Sequence, residues 1–230
     1  MHERTDYPVR MPSLDGKGPS MQQLPPADRA EELDALWCVA VGVPLGRWVD
    51  PRGNAEPGVL IRQGSKFLVA EPRVLELFIP ALSPKPIGRL LDMARDAGVD
   101  DPYDLLADMV GQGLLALLGQ DRPTDRETLR QLRLQTVGLG MGNDRDRPEL
   151  FLIASHPAED EPQELLQCDA LLYSVWAGSD GRVLGEVAER LAGSFGVEAE
   201  AVLDHVLEAL PALLGAGVAF LDAGPQRGAA

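Results

Sequence analysis

Residues 171–221, LLYSVWAGSDGRVLGEVAERLAGSFGVEAEAVLDHVLEALPALLGAGVAFL, decide how this chain is read. Apolar residues grouped at helical spacing predict helices over 170–176, 183–194 and 198–214. Gly178-Ser179-Asp180-Gly181 and Phe195-Gly196-Val197 separate them, because glycine punctuates helices where the backbone must turn. A strand over 218–221 closes the segment.

Working outward, a shift of 96 residues brings distant clusters into coincidence. Leu33, Leu36, Val41, Gly42 and Gly46 recur as Leu129, Leu132, Val137, Gly138 and Gly142. Asp108, Val110, Leu114, Ala116, Leu117, Leu118 and Gly119 recur as Asp204, Val206, Leu210, Ala212, Leu213, Leu214 and Gly215. Leu75, Ala81, Ser83 and Ile87 fall on Leu171, Ala177, Ser179 and Val183. The pattern predicts a duplicated unit of about 95 residues, with modules at 27–121 and 122–223. Flanking them are a disordered proline-containing tail at 1–26 and a flexible end at 224–230.

Each module opens on a short helix, 29–37 in the first and one begun by the capping box Thr124-x-x-Glu127 in the second. Strands at 59–62 and 66–70 flank Gln63-Gly64-Ser65, a hairpin turn. The second module offers a strand at 150–154, its return strand replaced by the acidic run at 157–162. The first module then places helices at 73–82, 87–96 and 101–118, with Leu106, Val110, Leu114, Leu117 and Leu118 on one face of the last. The expected class is α+β, helix-rich with short strands and hairpins.

Composition narrows the function. Hydrophobic residues at 45% and charged residues at 25% suit a globular domain with a core. Twenty-one Lys and Arg against 36 Asp and Glu leave −15, a field that repels phosphate backbones and anionic lipid, so nucleic acid is disfavoured as a partner. The longest apolar runs fall short of the roughly 18–20 residues of a membrane span, and the start, MHERTDYPVR, lacks a signal peptide's apolar core. A cytoplasmic location without membrane contact is the expectation. Cys38 and Cys168 sit among apolar neighbours with no C-x-x-C spacing and read as buried thiols.

No motif for catalysis, metal or cofactor emerges. Gly138-Leu139-Gly140-Met141-Gly142 lacks the Gly-Lys-Ser/Thr of a phosphate loop, and its counterpart, Gly42-Val43-Pro44-Leu45-Gly46, keeps the outer glycines, which predicts a backbone turn shared by both modules. Asp92, Asp96, Asp100, Asp101, Asp104 and Asp108 read as a solvated face, since no EF-hand spacing joins them. His2, His156 and His205 are too scattered for zinc, His205 being expected on a half-buried helix face. Ser83 and Ser179 read as helix caps, and Trp176 as core. Trp48, between Arg47 and Val49, is the aromatic expected to be partly exposed. Arg62, Lys66 and Arg73 cluster around the first hairpin, a basic edge suited to an acidic peptide laid along the strand.

Two strands, then three helices with a Gly-containing step and a closing strand, is the order of a winged helix. Residues 171–221 resemble PqqD-type sequences through Val183, Glu186-Val187-Ala188, Leu191, Phe195-Gly196-Val197, Leu213-Leu214 and Gly217. The resemblance implies two tandem winged-helix-like modules that recognise peptides by strand addition beside a helix. The expected function is a non-enzymatic adaptor without cofactor, holding a peptide or protein partner through Trp48, Arg62, Lys66 and Arg73, such as a precursor peptide in natural-product maturation. A winged-helix transcription regulator is the alternative, and homo-oligomerisation stays open.

Overall fold

The computed structural model describes residues 24–26, 29–49, 57–154 and 164–224. The expected mobile ends lie outside the described residues except for 24–26 and Gly224, as does the acidic run at 157–162. Leu24 packs against the first core, and Tyr103 Oη donates to Pro25 O at 2.6 Å, so this end of the expected tail is docked.

The fold mixes helix and strand. One succession of elements occurs twice. The first half runs α1 (Ala30–Ala35), β1 (Trp37–Ala40), β2 (Val43–Trp48), β3 (Gly58–Gln63), β4 (Lys66–Ala70), α2 (Leu75–Phe78), β5 (Lys85–Pro86), α3 (Ile87–Asp96), α4 (Pro102–Gly111) and β6 (Leu115–Leu118). The second runs α5 (Arg122–Gln131), β7 (Leu132–Thr136), β8 (Leu139–Asn143), β9 (Phe151–Ala154), β10 (Glu164–Cys168), α6 (Ala170–Gly178), α7 (Leu184–Phe195), α8 (Ala199–Gly215) and β11 (Ala219–Ala223). The counterpart of β5 is reduced to a bridge between Arg133 and Val183.

The pairing repeats with the order. β1 is antiparallel to β6, and β7 to β11. Beyond each ladder Val41 N donates to Leu114 O and Val137 N to Val218 O, both at 2.9 Å. The meanders β2-β3-β4 and β8-β9-β10 carry a bulge at the same place, between Pro44 and Gly46 and between Gly140 and Gly142. Gly42, Gly46, Gly138 and Gly142 all have positive φ, from +82° to +114°, which is the turn shared by both copies.

Several sequence expectations need correction. The helix predicted over 101–118 stops at Gly111, because Gly113 takes φ +72° and Leu115–Leu118 pair with β1 as a strand. The repeat cluster that pairs Asp108 to Gly119 with Asp204 to Gly215 therefore aligns strand with helix, since Leu210, Leu213 and Leu214 lie in α8. The matching feature is Gly111-Gln112-Gly113-Leu114 against Gly215-Ala216-Gly217-Val218, spaced by 104 residues, because α8 is 17 residues long and α4 only 10. Those seven extra residues make about two turns, which returns the apolar face to its starting direction.

Local chemistry explains the other differences. Asp121, three residues before the expected capping threonine, is the N-cap of α5 and accepts from Thr124 N at 2.9 Å. Trp37 opens β1 and does not end a helix. The predicted helix over 73–82 is broken into α2 and two 3-10 turns that start at Pro72 and Pro80. The second meander does possess a return strand, β10, after the acidic run.

Two cores result, and one ladder serves both. Cys38 and Ala40 of β1, with Leu115 and Leu117 of β6, face the first core; Val39, Val41, Ala116 and Leu118 face the second. Strand alternation sends successive side chains to opposite faces, so a fully apolar ladder must be covered on both. Helices of the second half supply the cover. Each valine or leucine among them contributes roughly 1.5–3 kcal/mol when fully buried, which ties the halves together. Gly42 N donates to Leu221 O at 2.8 Å, and Val41 bridges Leu221 in parallel, extending the contact through the backbone.

Candidate functional site

The β2-β3-β4 meander has one face in the core and one outside. Val59 and Ile61 are buried, and Leu68 and Ala70, on their face, pack against the same core. Registers Trp48↔Gly58, Gly46↔Leu60↔Val69 and Val43↔Arg62↔Phe67 place the intervening residues on the outer face. Trp48 and Arg62 thus share one surface, both half-buried, with Phe67 directly across from Arg62 and 62% exposed.

The other two predicted residues sit elsewhere. Lys66 pairs in register with Gln63 at the hairpin end, on the opposite face of the sheet, and is exposed. Arg73 lies beyond β4 in a 3-10 turn and donates from Nε to Glu71 Oε2 at 2.7 Å. The structure therefore sets Trp48 and Arg62 on one face, at opposite ends of β3, and leaves Lys66 and Arg73 at the margins. Phe67 was missed: KFLVA is apolar through four successive residues, so alternation cannot assign its faces.

The two edges of this sheet differ. β2 contains Pro44, which has no amide to donate, and the bulge at Gly46. β4 runs in unbroken register from Lys66 to Ala70. A two-residue hairpin makes Gln63 and Lys66 a hydrogen-bonded pair, so by alternation the backbone groups of Phe67 and Val69 point away from β3. β2, β3 and β4 carry Arg47, Arg62 and Lys66 and not one acidic residue, in a chain of net charge −15.

The hairpin tip is held from the second half. Gly64 N donates to Asp222 Oδ1 at 2.6 Å, and Gln63 Nε2 donates to Gly113 O at 2.5 Å. Asp222 is only 1% exposed. Gly64 has φ +58°, and a Cβ there would lie 3.2 Å from Ala223 O, so glycine suits both the turn and the close approach.

The remaining candidates resolve into structure. Cys38 and Cys168 are buried and free; burial pushes their thiols up to about 12 and about 11, far from nucleophilic thiolates. All six aspartates from Asp92 to Asp108 are exposed, and Asp92 accepts from Arg95 at 2.8 Å. Among the described residues no group of three or more His, Cys, Asp or Glu could hold a metal ion, and no helix is long and apolar enough to cross a membrane. His205 is half-buried, with Nε2 2.7 Å from Asp169 Oδ2. Ser179 ends α6 and donates to Val175 O; Ser83 ends a 3-10 turn. Trp176 is core, with Nε1 donating to Val218 O at 2.9 Å.

Compared with known proteins, the chain matches no family model, no curated protein and no solved structure.

Proposed function

We propose that the chain is a non-enzymatic adaptor that binds an acidic, extended segment of a peptide or protein partner along β4. The observation that carries this reading is the unblunted edge of a sheet without acidic residues, bearing Phe67 and Arg62 on its outer face. A strand added there gains backbone hydrogen bonds from Phe67 and Val69, an apolar contact on Phe67, and opposite charge at Arg62 and Lys66. The repeated element order supports the finer reading of two winged-helix-like units, within which β2-β4 and β8-β10 take the place of wings. The likeness to PqqD-type sequences belongs to the same proposal.

The test is fluorescence anisotropy with labelled acidic peptides selected by display against the wild-type chain. Arg62→Ala and Phe67→Ala should each weaken binding about ten-fold or more. Val69→Pro should abolish it while circular dichroism stays native, because that amide points away from the hairpin. Equal affinity of all three variants would overturn the assignment. DNA bound in its place, with a steep salt dependence, would favour the regulator.

A further inference from the structure

Where the halves meet, a cleft of about 390 Å³ opens between β1, the end of β6, α5 and α8. That volume falls in the roughly 300–1,000 Å³ range of small-ligand sites. Its walls are apolar: Trp37, Pro84, Leu118, Leu207, Leu210 and Pro211. Trp37 remains 41% exposed, although every other residue of β1 is buried. Leu207, Leu210 and Pro211 lie towards the C-terminal end of α8, the helix whose greater length the first half does not match.

Two polar features belong to residues that line this space. Pro211 sits inside α8 and has no amide hydrogen, so the carbonyl of Leu207, one turn earlier, lacks its helical donor. Asp125 is 7% exposed and lines the cleft. Its carboxylate accepts from Gly119 N at 3.0 Å on both oxygens and from Gln120 N at 3.3 Å, all neutral donors. Burial raises its pKa, a desolvation that the two amides only partly offset. Asp121 adds a second carboxylate, engaged with Thr124 as the cap of α5. The neighbouring cation, Arg122, is turned to Glu208 at 3.0 Å.

We propose that this cleft binds a small organic cation, a primary ammonium on an aromatic or aliphatic body. The body fills the apolar walls against the face of Trp37, where cation–π attraction adds to burial. The ammonium donates to Asp125 and to the Leu207 carbonyl that Pro211 leaves without its helical donor, adding to the attraction of Arg122 a cation in direct contact with the buried carboxylate. An anion meets two carboxylates and is excluded; a neutral analogue keeps the packing and loses the charge-assisted bonds. This site is separate from β4, so its failure leaves the adaptor reading intact.

The probe is 2-phenylethylammonium, with 2-phenylethanol and 3-phenylpropionate as neutral and anionic counterparts, followed at the tryptophan indole N–H resonances. The expected result is a saturable shift of the Trp37 resonance with the ammonium, binding about ten-fold weaker for the alcohol, and none for the carboxylate. Leu207→Trp, which fills the cleft from a half-buried position, should remove the shift, and Arg62→Ala should preserve it. Asp125→Asn should erase the preference for ammonium over alcohol; if it fails to fold, the wild-type selectivity and Leu207→Trp decide. No saturable shift up to ~10 mM, equal binding of the three probes, a Trp37 shift untouched by Leu207→Trp, or binding only of a capped lysine peptide would overturn the assignment of a free amine.

Discussion

The two meanders share a scaffold and differ in surface. Both enter through a positive-φ glycine pair and a bulge, yet Arg62 in the first corresponds by ladder position to Ala154 in the second, and Phe67 to Glu164. In the second, Tyr173 lies against Gly140, where a Cβ would collide with its hydroxyl, and stacks on Phe151 at 4.6 Å. The second half also has a longer last helix, tied to α5 by Arg122–Glu208, Arg126–Asp204 and Arg130–Glu200, a ladder with steps of four on each helix. The difference teaches that backbone geometry tolerated one solution twice, while side chains divided the work: the first half offers a basic surface and the second braces it.

The strongest test of that division is whether the halves can be unfolded separately. Phe78 of α2 and Trp176 of α6 are large buried side chains, one in each core, and truncating either to alanine should cost about 3–5 kcal/mol. Because the β1–β6 ladder belongs to both cores, urea melts followed by far-ultraviolet dichroism and tryptophan fluorescence should coincide in each variant; two resolved transitions would break the picture. Next in size is Gly42→Ala, whose Cβ would fall 2.5 Å from Arg62 O at φ +114° and should cost about 3 kcal/mol. Gly46→Ala meets nothing within 4 Å at φ +106°, so chemical denaturation should show a loss of only about 1 kcal/mol.

The brace itself comes third. Asp222→Ala leaves the Gly64 amide without its acceptor and should destabilise by about 1–3 kcal/mol, with faster hydrogen exchange at the hairpin tip while α7 and α8 stay protected. The smallest effect is a difference in pH dependence. Arg126 holds the Asp204 carboxyl below its ordinary 3.8, chiefly by hydrogen bonding, so its stabilisation is present above that value and is lost as pH falls through the lower folded value. Asp125 is raised, first by burial, so it does the reverse: stability falls as pH rises through the interval above 3.8. Melting temperatures of Asp204→Asn should converge on wild type in acid, whereas Asp125→Asn should gain on wild type as pH rises through that interval.

Much of this architecture was readable from the chain. The hairpin at Gln63-Gly64-Ser65, α3, and the three closing helices follow from turn residues and helical spacing, which are local signals. β1 and β7 were not legible, because each follows its helix with no glycine or proline between and is defined by a partner about 80 residues away. Leu114 to Leu118 continue the helical spacing of α4, and only the conformation of Gly113 turns them into a strand. Of the candidate surface, Arg62 and Trp48 could be named but not placed together, since that needs the bulge register. The cleft is assembled from four separated segments; Pro211 inside a helical pattern was the one local hint.

The doubly covered ladder has a consequence for synthesis on the ribosome. When residues up to Gly119 have emerged, Val39, Val41, Ala116 and Leu118 have no cover, because their partners are still inside the exit tunnel or unmade. The nascent first half must therefore persist as a sticky intermediate until α8 arrives, which makes it a client for chaperones and makes any fragment ending near that point prone to aggregate.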